Sequence, residues 1–331
     1  MRFIGRTGDG GPEVLRVEQG PVPQPRPGEV LIRVLAAGLN GPDLMQRRGL
    51  YPPPADASPV LGLEVAGEVA AVGPAQDDAP LPYAVGDRVC ALVNGGGYAE
   101  YCAAPARQCL PWPDRFDAVR AAALPENYFT VWANLFHIGN LRAGQTLLVH
   151  GGSSGIGTTA IQLARARGAI PYATAGTDEK CAICRSLGAE AAIDYRREDF
   201  AERIKTLTAG RGVDVILDMI GASYFQRNLD SLAEDGRLTS IAVLGGDAVR
   251  ELKLSQVMRR RLTLTGSTLR PRSAAFKAGI AAALQAQVWP LLAGGAIRPL
   301  IHAVLPFTDA AGAHTLMERG EHSGKIMLSL Q

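Results

Sequence analysis

The chain lacks most of what would mark a membrane, nucleic-acid or disulfide-stapled protein. Its 34 Lys and Arg against 32 Asp and Glu leave a formal net charge of +2. Without a concentrated basic face, neither a nucleic-acid surface nor an anionic membrane surface is expected. The one tight basic run, Arg259-Arg260-Arg261, reads as a solvated helix end. No apolar stretch approaches membrane length, and Met1-Arg2-Phe3 opens a strand-like segment rather than a signal peptide, so a cytoplasmic protein is expected. Five cysteines in 331 residues make no disulfide framework. Cys181 and Cys184 form a C-x-x-C inside an expected helix, away from the N-terminal dipole that activates redox thiols. Cys90, Cys102 and Cys109 lack zinc-knuckle spacing, so five reduced cysteines and no metal are expected. His137, His150, His302, His314 and His322 form no spaced cluster, and none is assigned to catalysis.

What remains is an ordinary globular composition, 47% hydrophobic and 20% charged, at a length that suits two domains. The most informative stretch is Thr146 to Gly157, T-L-L-V-H-G-G-S-S-G-I-G. Thr146 to Val149 is a short apolar run with a Gly-rich exit, the pattern of a buried parallel strand. Gly151 and Gly152 turn the chain, and apolar residues from Ile156 to Arg167 fall near helical spacing. A strand, a Gly-rich turn and a helix N-terminus direct free N–H groups and the helix dipole at a phosphate. The dinucleotide pattern G-x-G-x-x-G appears as Gly152, Ser153, Ser154, Gly155, Ile156, Gly157, with Ser154 in place of the second glycine. Serine is small enough to admit a pyrophosphate, and its hydroxyl can donate. The competing reading is a tight strand–helix turn without a ligand.

Ala169 to Ala175 reads as the second strand, with Pro171 near its start. An NAD site places Asp or Glu at this strand's end to hold the ribose 2′-OH. Here the end is Ala175, Gly176, Thr177, which leaves room for a 2′-phosphate. Thr177 can donate to that phosphate and Lys180 can reach it, although Lys180 also reads as a solvated helix lysine. Asp178 and Glu179 suit the first turn of the next helix, facing water. NADP(H) is therefore the cofactor expected.

The first part of the chain is strand-rich. Val14 to Val17, Glu29 to Ala36, Leu63 to Val72, Asp87 to Leu92 and Tyr98 to Ala103 are short β-leaning runs cut by Gly and Pro. Pro21 to Gly28 is an extended connector, and Asp77 to Pro82 reads as an exposed loop. From about Pro125 helices and strands alternate, with strands at Ala191–Asp194, Val213–Met219, Arg237–Val243 and Leu262–Gly266. Such alternation predicts an α/β fold with a doubly wound parallel sheet. One helix is expected over Ser273–Ala293 and a final strand over Lys325–Leu330.

This order, with P-G-E-V-L-I-R-V (27–34), A-G-L-N-G-P-D-L-M-Q-R-R-G (37–49), L-G-L-E-V-A-G-E-V (61–69), V-G-D-R-V (85–89), G-G-Y-A-E-Y (96–101) and G-K-I-M-L (324–328), resembles the medium-chain dehydrogenase/reductase superfamily over the whole chain. L-N-x-x-D-L-M-Q-R-x-G-x-Y-P-P-P and T-A-G-T (174–177) are similar to its zinc-free quinone oxidoreductase branch. The resemblance implies a GroES-like β-rich catalytic domain over 1–123, a Rossmann NADP-binding domain over 124–266 and a return to the catalytic domain over 267–331. Where the zinc enzymes carry a metal-binding Cys and Gly-His-Glu, this chain has Asn40 and Gly62-Leu63-Glu64, and the four-cysteine zinc lobe is missing. Asn and Leu cannot replace thiolate and imidazole at a tetrahedral zinc site, which leaves an already electrophilic acceptor, a quinone or conjugated enone.

Site roles follow from the same resemblance. Asn40 and Thr130 would line the nicotinamide and its ribose, and Tyr51 at the cleft mouth would orient or protonate the acceptor oxygen. Each also reads as a buried polar or packing residue. Tyr195 would approach the adenosine phosphate. Met219-Ile220-Gly221 and Leu244-Gly245-Gly246 would border the cofactor at the carboxyl edge of the sheet. Ser267, Thr268 and Leu269 would pass the nicotinamide amide, and Lys325 would assist from the C-terminal return. Zinc-independent reduction of a small quinone by NADPH is the first reading, and double-bond reduction of small enals or enones the second. NADPH-responsive RNA binding, suggested by one member of the branch, is disfavoured by the near-zero net charge and the lack of a basic–aromatic stripe. Leu262-Thr263-Leu264-Thr265 would be an open edge strand, so a homodimer through residues near 255–268 is expected.

Overall fold

The computed structural model describes residues 1–76 and 81–331; residues 77–80 of the expected 77–82 loop lie outside that set. The chain forms two compact units, one of Met1–Phe129, Arg270–Gly295 and Pro299–Gln331, the other of Thr130–Leu269 and Ala296–Arg298. Among the described residues no helix is long and apolar enough to cross a membrane.

The first unit is built on β strands: β1 (Arg2–Arg6), β2 (Leu15–Gln19), β3 (Glu29–Gly38), β4 (Glu64–Val72), β5 (Arg88–Leu92), β6 (Tyr101–Pro105) and β7 (Cys109–Pro111). The second unit contributes β8 (Thr146–Val149), β9 (Ile170–Ala175), β10 (Ala191–Asp194), β11 (Val213–Asp218), β12 (Leu232–Ser240) and β13 (Thr263–Gly266), before β14 (Ile301–Pro306) and β15 (Lys325–Ser329) return to the first. β1 and β2 pair as a ribbon, and the large sheet runs β14-β15-β3-β4-β5-β7 with β6 added on β3. β14 lies parallel to β15 and the other neighbours are antiparallel. Val30, Ile32, Val34, Val65, Val69 and Val89 alternate along these strands into one apolar core with Ile326 and Leu328.

The second unit is a six-stranded parallel sheet in the order β10-β9-β8-β11-β12-β13. In chain order this is 3-2-1-4-5-6, the Rossmann arrangement, whose order reverses beside β8. Thr146–Val149 is buried at every position because helices cover both faces of such a sheet. Leu148, Tyr172, Ile193, Ile216 and Leu238 form its core with Phe200, Ile204 and Leu229 from helices.

Several expected boundaries move. Tyr98 lies outside the strand expected over 98–103; its N–H goes to Leu61 O and its carbonyl accepts from Ile4 N, so pairing with β3 begins at Tyr101. β12 starts at Leu232, skips register opposite Val213–Val215 with Asp235 at φ 59°, and ends at Ser240. Residues 241–243, expected as strand, belong to a loop that folds against the loop after β11. Leu262, expected as strand, still closes the preceding helix, its N–H reaching Val257 O at 3.0 Å. The single helix expected over 273–293 is two, Ala274–Gln287 and Trp289–Ala293. Pro290 has no N–H for a continuous helix, so the chain breaks at Val288 and Pro290 falls in the first turn of the second helix, where its missing N–H costs nothing.

Candidate active site

The Gly-rich turn follows β8, where the strand order reverses. Gly151 has φ 65°, a conformation glycine adopts without strain. A Cβ on Gly152 would stand 2.7 Å from Ala173 Cβ and 2.9 Å from Cys184 Sγ. One on Gly157 would collide with the carbonyl of Gly151, so this glycine lets the helix Gly155–Ala166 start directly against the turn. Ser154 caps that helix, its Oγ accepting from Gly157 N at 3.0 Å, and its O–H remains a donor. Ser153 is buried, and Gly155 and Ile156 are half-buried in the first turn.

His150, whose role the sequence does not reveal, fixes the start of this turn. Its Nε2 donates to Asn228 Oδ1 at 2.6 Å, which leaves Nδ1 to accept from Thr174 Oγ1 at 3.0 Å. Burial pushes its pKa down to about 4, so the ring is neutral in this cage of Phe200 and Tyr224. Asp218, at the end of β11, accepts from the N–H groups of Ile220 and Gly221. Burial raises its pKa, against those hydrogen bonds.

At the end of β9, Gly176 is where a Cβ would come within 2.7 Å of Tyr195 OH and 3.4 Å of Arg196 Nε. Thr177 caps the next helix, accepting from Lys180 N at 3.2 Å. Its hydroxyl also hydrogen-bonds Glu179, helping that helix turn's own N–H to hold the carboxyl low. Asp178 and Glu179 are both exposed, and Asp178 pairs with Arg197 at 2.7 Å. Gly176, Tyr195 and Arg196 thus come together at the end of β9, with Thr177 and Lys180 in the first turn of the helix that follows. Arg196 is an addition that sequence reading missed, for the Tyr-Arg-Arg run says nothing of which cation turns toward Gly176.

The loops after β11 and β12 are zipped together, Leu244 N to Met219 O at 3.1 Å and Gly245 N to Ile220 O at 2.6 Å. Gly221 and Gly246, at φ 83° and 112°, permit this contact. Leu244 is left 72% exposed, an apolar side chain on the rim of the sheet's carboxyl edge. Ser267 donates to Asn134 Oδ1 at 2.8 Å, and Asn134 Nδ2 donates to Thr130 O at 2.9 Å. Buried Asn134, unmarked in the sequence, therefore ties two expected site segments to each other. Thr268 is exposed beside Ser267, and Leu269 is buried.

In the first unit, Lys325 Nζ donates to Glu64 Oε1 at 2.6 Å, Asn40 Oδ1 at 2.6 Å and Leu39 O at 2.7 Å. Asn40 Nδ2 donates to Glu64 Oε1 at 3.0 Å, and the other Glu64 oxygen accepts from Glu126 N at 2.8 Å. A Cβ on Gly38 would run into this carboxylate, so glycine opens the space it occupies. Asn40, expected to face the nicotinamide, is 5% exposed with its amide committed to this ionic cluster. Asp43 accepts from Asn40 N and Gly62 N, and burial raises its pKa to about 6 against those bonds. Glu126, which sequence reading also missed, is raised to about 8 by burial and by Glu64, so its carboxyl is protonated at neutral pH. Tyr51 is half-buried with the Arg270 guanidinium 5.5 Å from its ring centre. Burial, with Arg270 opposing, raises its pKa, so the phenol keeps its proton.

These residues do not fit a zinc ion. At the positions where the zinc enzymes hold metal, Asn40 offers an amide and Leu63 a buried alkyl group. The carboxylate beside them is already neutralised by an ammonium. Among the described residues no group of three or more His, Cys, Asp and Glu side chains could hold a metal.

Residues 26–114 match the alcohol dehydrogenase GroES-like domain, and residues 155–285 match the domain described as zinc-binding dehydrogenase. The quinone oxidoreductase of Homo sapiens is 33% identical over 100% of this chain and 98% of its own length. A mycobacterial protein solved in complex with NADPH superposes with a TM-score of 0.89 at 33% identity, over 99% of this chain and 100% of that one. The Escherichia coli quinone oxidoreductase, also solved with NADPH, gives 0.86 at 28% identity, over 99% and 100%. The chain therefore belongs to the quinone oxidoreductase family of medium-chain dehydrogenases/reductases and is an oxidoreductase.

Proposed function

We propose that this oxidoreductase uses NADPH to reduce a small quinone without zinc. The observation that carries the cofactor assignment is the end of β9. Gly176 there lies against Tyr195 and Arg196, with no carboxylate at the strand end, which suits a phosphate rather than a free ribose hydroxyl. The turn from Gly152 to Gly157 holds the pyrophosphate through the N–H groups of Ser153, Gly155 and Ile156, those of Gly152, Ser154 and Gly157 being spent on Thr174 O, Gly151 O and Ser154 Oγ. Gly176, Thr177, Lys180 and Tyr195 hold the 2′-phosphate. Ile220, Leu244 and Gly245 border the cofactor, Thr130, Ser267, Thr268 and Leu269 serve its nicotinamide half, and the family relatives solved with NADPH support the same reading. Bound NADPH supplies the reducing hydride; the protein supplies orientation and exclusion of water.

The acceptor is a quinone because Asn40 and Leu63 stand where zinc ligands would be needed to polarise an unactivated carbonyl, whereas a quinone is electrophilic already. Tyr51 keeps its proton and orients or protonates the acceptor oxygen. Lys325 and Glu64 fix the amide of Asn40. The reading also makes the protein a cytoplasmic homodimer, joined through the edge strand β13, with no nucleic-acid or membrane partner.

The test is NADPH oxidation by the purified protein with ortho- and para-quinones against 2-alkenals, before and after prolonged chelation. Quinone-dependent oxidation that survives chelation is the expected result. Turnover confined to alkenals would move the assignment to double-bond reduction, and activity lost with a stoichiometric metal would overturn the zinc-free reading.

A further inference from the structure

Arg270 and Lys277 carry two positive charges into the interior of the first unit, at 7% and 1% exposure. Neither makes an ion pair among the described residues. The Arg270 Nε and Nη2 donate to Asn94 O at 3.0 and 2.5 Å, and Nη2 also reaches Gln46 Oε1 at 2.8 Å. Lys277 Nζ donates to Asn94 Oδ1 at 2.7 Å and Arg270 O at 2.8 Å. All of these acceptors are neutral, and the third guanidinium nitrogen, Nη1, is buried with no partner. An unsatisfied buried donor on a cation is among the costliest arrangements a fold can hold, and it marks where a ligand is wanted.

The nearby carboxyls do not neutralise the pair. Asp43 and Glu126 lie within electrostatic reach of Arg270, and Glu126 and Asp56 within reach of Lys277. Asp43 is spent on Asn40 N, Gly62 N and the Tyr98 hydroxyl. Glu126 holds its proton at neutral pH, and Asp56 is exposed. Tyr51, beside the guanidinium, is the half-exposed member of the group and offers a flat aromatic wall.

We propose that Arg270, braced by Asn94 and backed by Lys277, forms with Tyr51 a subsite for an anionic oxygen on a planar acceptor, so that carboxylate-bearing aromatic or quinoid molecules are preferred. A guanidinium pairs with a carboxylate in a fixed planar geometry, and the ring beside it can stack the remainder of the molecule. The word acceptor rests on the proposed reductase activity; the anion subsite does not.

The experiment is titration of the full-length protein, without cofactor, with benzoate and with benzamide, its uncharged isostere, followed by calorimetry. The wild type should bind benzoate at least tenfold more tightly than benzamide, and Arg270→Gln should abolish the difference. Because Arg270 also anchors Asn94 and Gln46, Arg270→Gln can fail to fold; Tyr51→Leu, altering a half-exposed wall, then serves, and should weaken benzoate severalfold. Equal binding of benzoate and benzamide by the wild type would overturn the subsite even if neutral quinones are reduced. Full discrimination retained by Arg270→Gln, or benzoate affinity unchanged by Tyr51→Leu, would overturn it by placing the anion elsewhere. If benzoate discrimination holds while no quinone is reduced, the subsite stands and the reductase reading falls.

Discussion

Replacing Lys325 by Met tests the ionic cluster on which the first unit's part of the site is built. The ammonium is 4% exposed and its partner Glu64 is fully buried, with 2.6 Å between Nζ and Oε1. All three ammonium protons are used, on Glu64, Asn40 and Leu39. Methionine keeps the length and the alkyl packing but leaves the Glu64 carboxylate with two hydrogen bonds, from Asn40 Nδ2 and Glu126 N, and no counter-charge. Breaking one half of a buried pair costs about 3–5 kcal/mol. Against a typical total of about 5–15 kcal/mol that is a large fraction. Guanidinium denaturation, with the m value checked for constancy, measures it. Glu64→Gln alone should also destabilise, because it strands the ammonium. The double variant should cost less than the sum of the singles, by about 1–3 kcal/mol. A Lys325→Met loss below about 1 kcal/mol, or strict additivity in the cycle, would refute the claim that the pair is dry and mutually dependent.

Lys180→Ala should weaken NADPH binding by about 1–3 kcal/mol while sparing NADH, measured by fluorescence titration; equal losses would remove Lys180 from the 2′-phosphate site. Tyr51→Phe should lower kcat/KM for quinones by about tenfold or more with NADPH affinity nearly constant, and unchanged turnover would reduce the phenol to a wall. Glu126 has its folded pKa raised from 4.5 to about 8. Its contribution to stability is therefore full below about pH 4.5 and is lost as the pH rises through about 8. Glu126→Gln should flatten that part of the stability–pH curve, and identical curves for variant and wild type would show that folding does not shift the carboxyl's pKa. β13 pairs only with β12 among the described residues. Sedimentation should therefore show a dimer that Leu264→Pro weakens, whereas a wild-type monomer at micromolar concentration would end the edge-strand proposal.

Local chemistry made the second unit legible in the chain itself. Strand, Gly-rich turn and helix are contiguous between Thr146 and Ala166, with Gly151 at φ 65° and Gly157 packed against the Gly151 carbonyl. The neutral strand end at Ala175-Gly176-Thr177 could likewise be read directly, because cofactor choice there depends on which side chains are absent. Helix ends set by a cap or a proline were readable only in part: Pro290 announces a break that the apolar pattern of 273–293 conceals.

The clusters of charge could not be read in this way. Lys325 meets Glu64 and Asn40 across some 260 to 285 residues of sequence, and Arg270 meets Asn94 across 176. No periodicity reports such encounters, because partners of a buried ion are chosen by sheet register and core packing, not by spacing along the chain. The same holds for His150, Asn134 and Glu126, each unremarkable in its own stretch. Composition, turn chemistry and hydrophobic period determined the fold class and the Gly-rich turn after β8, since those depend on neighbours in sequence. Which carboxyl keeps its proton, which cation lacks a partner and which amide is already spent were decided only when distant segments were packed out of water together, because desolvation is a property of the assembled interior.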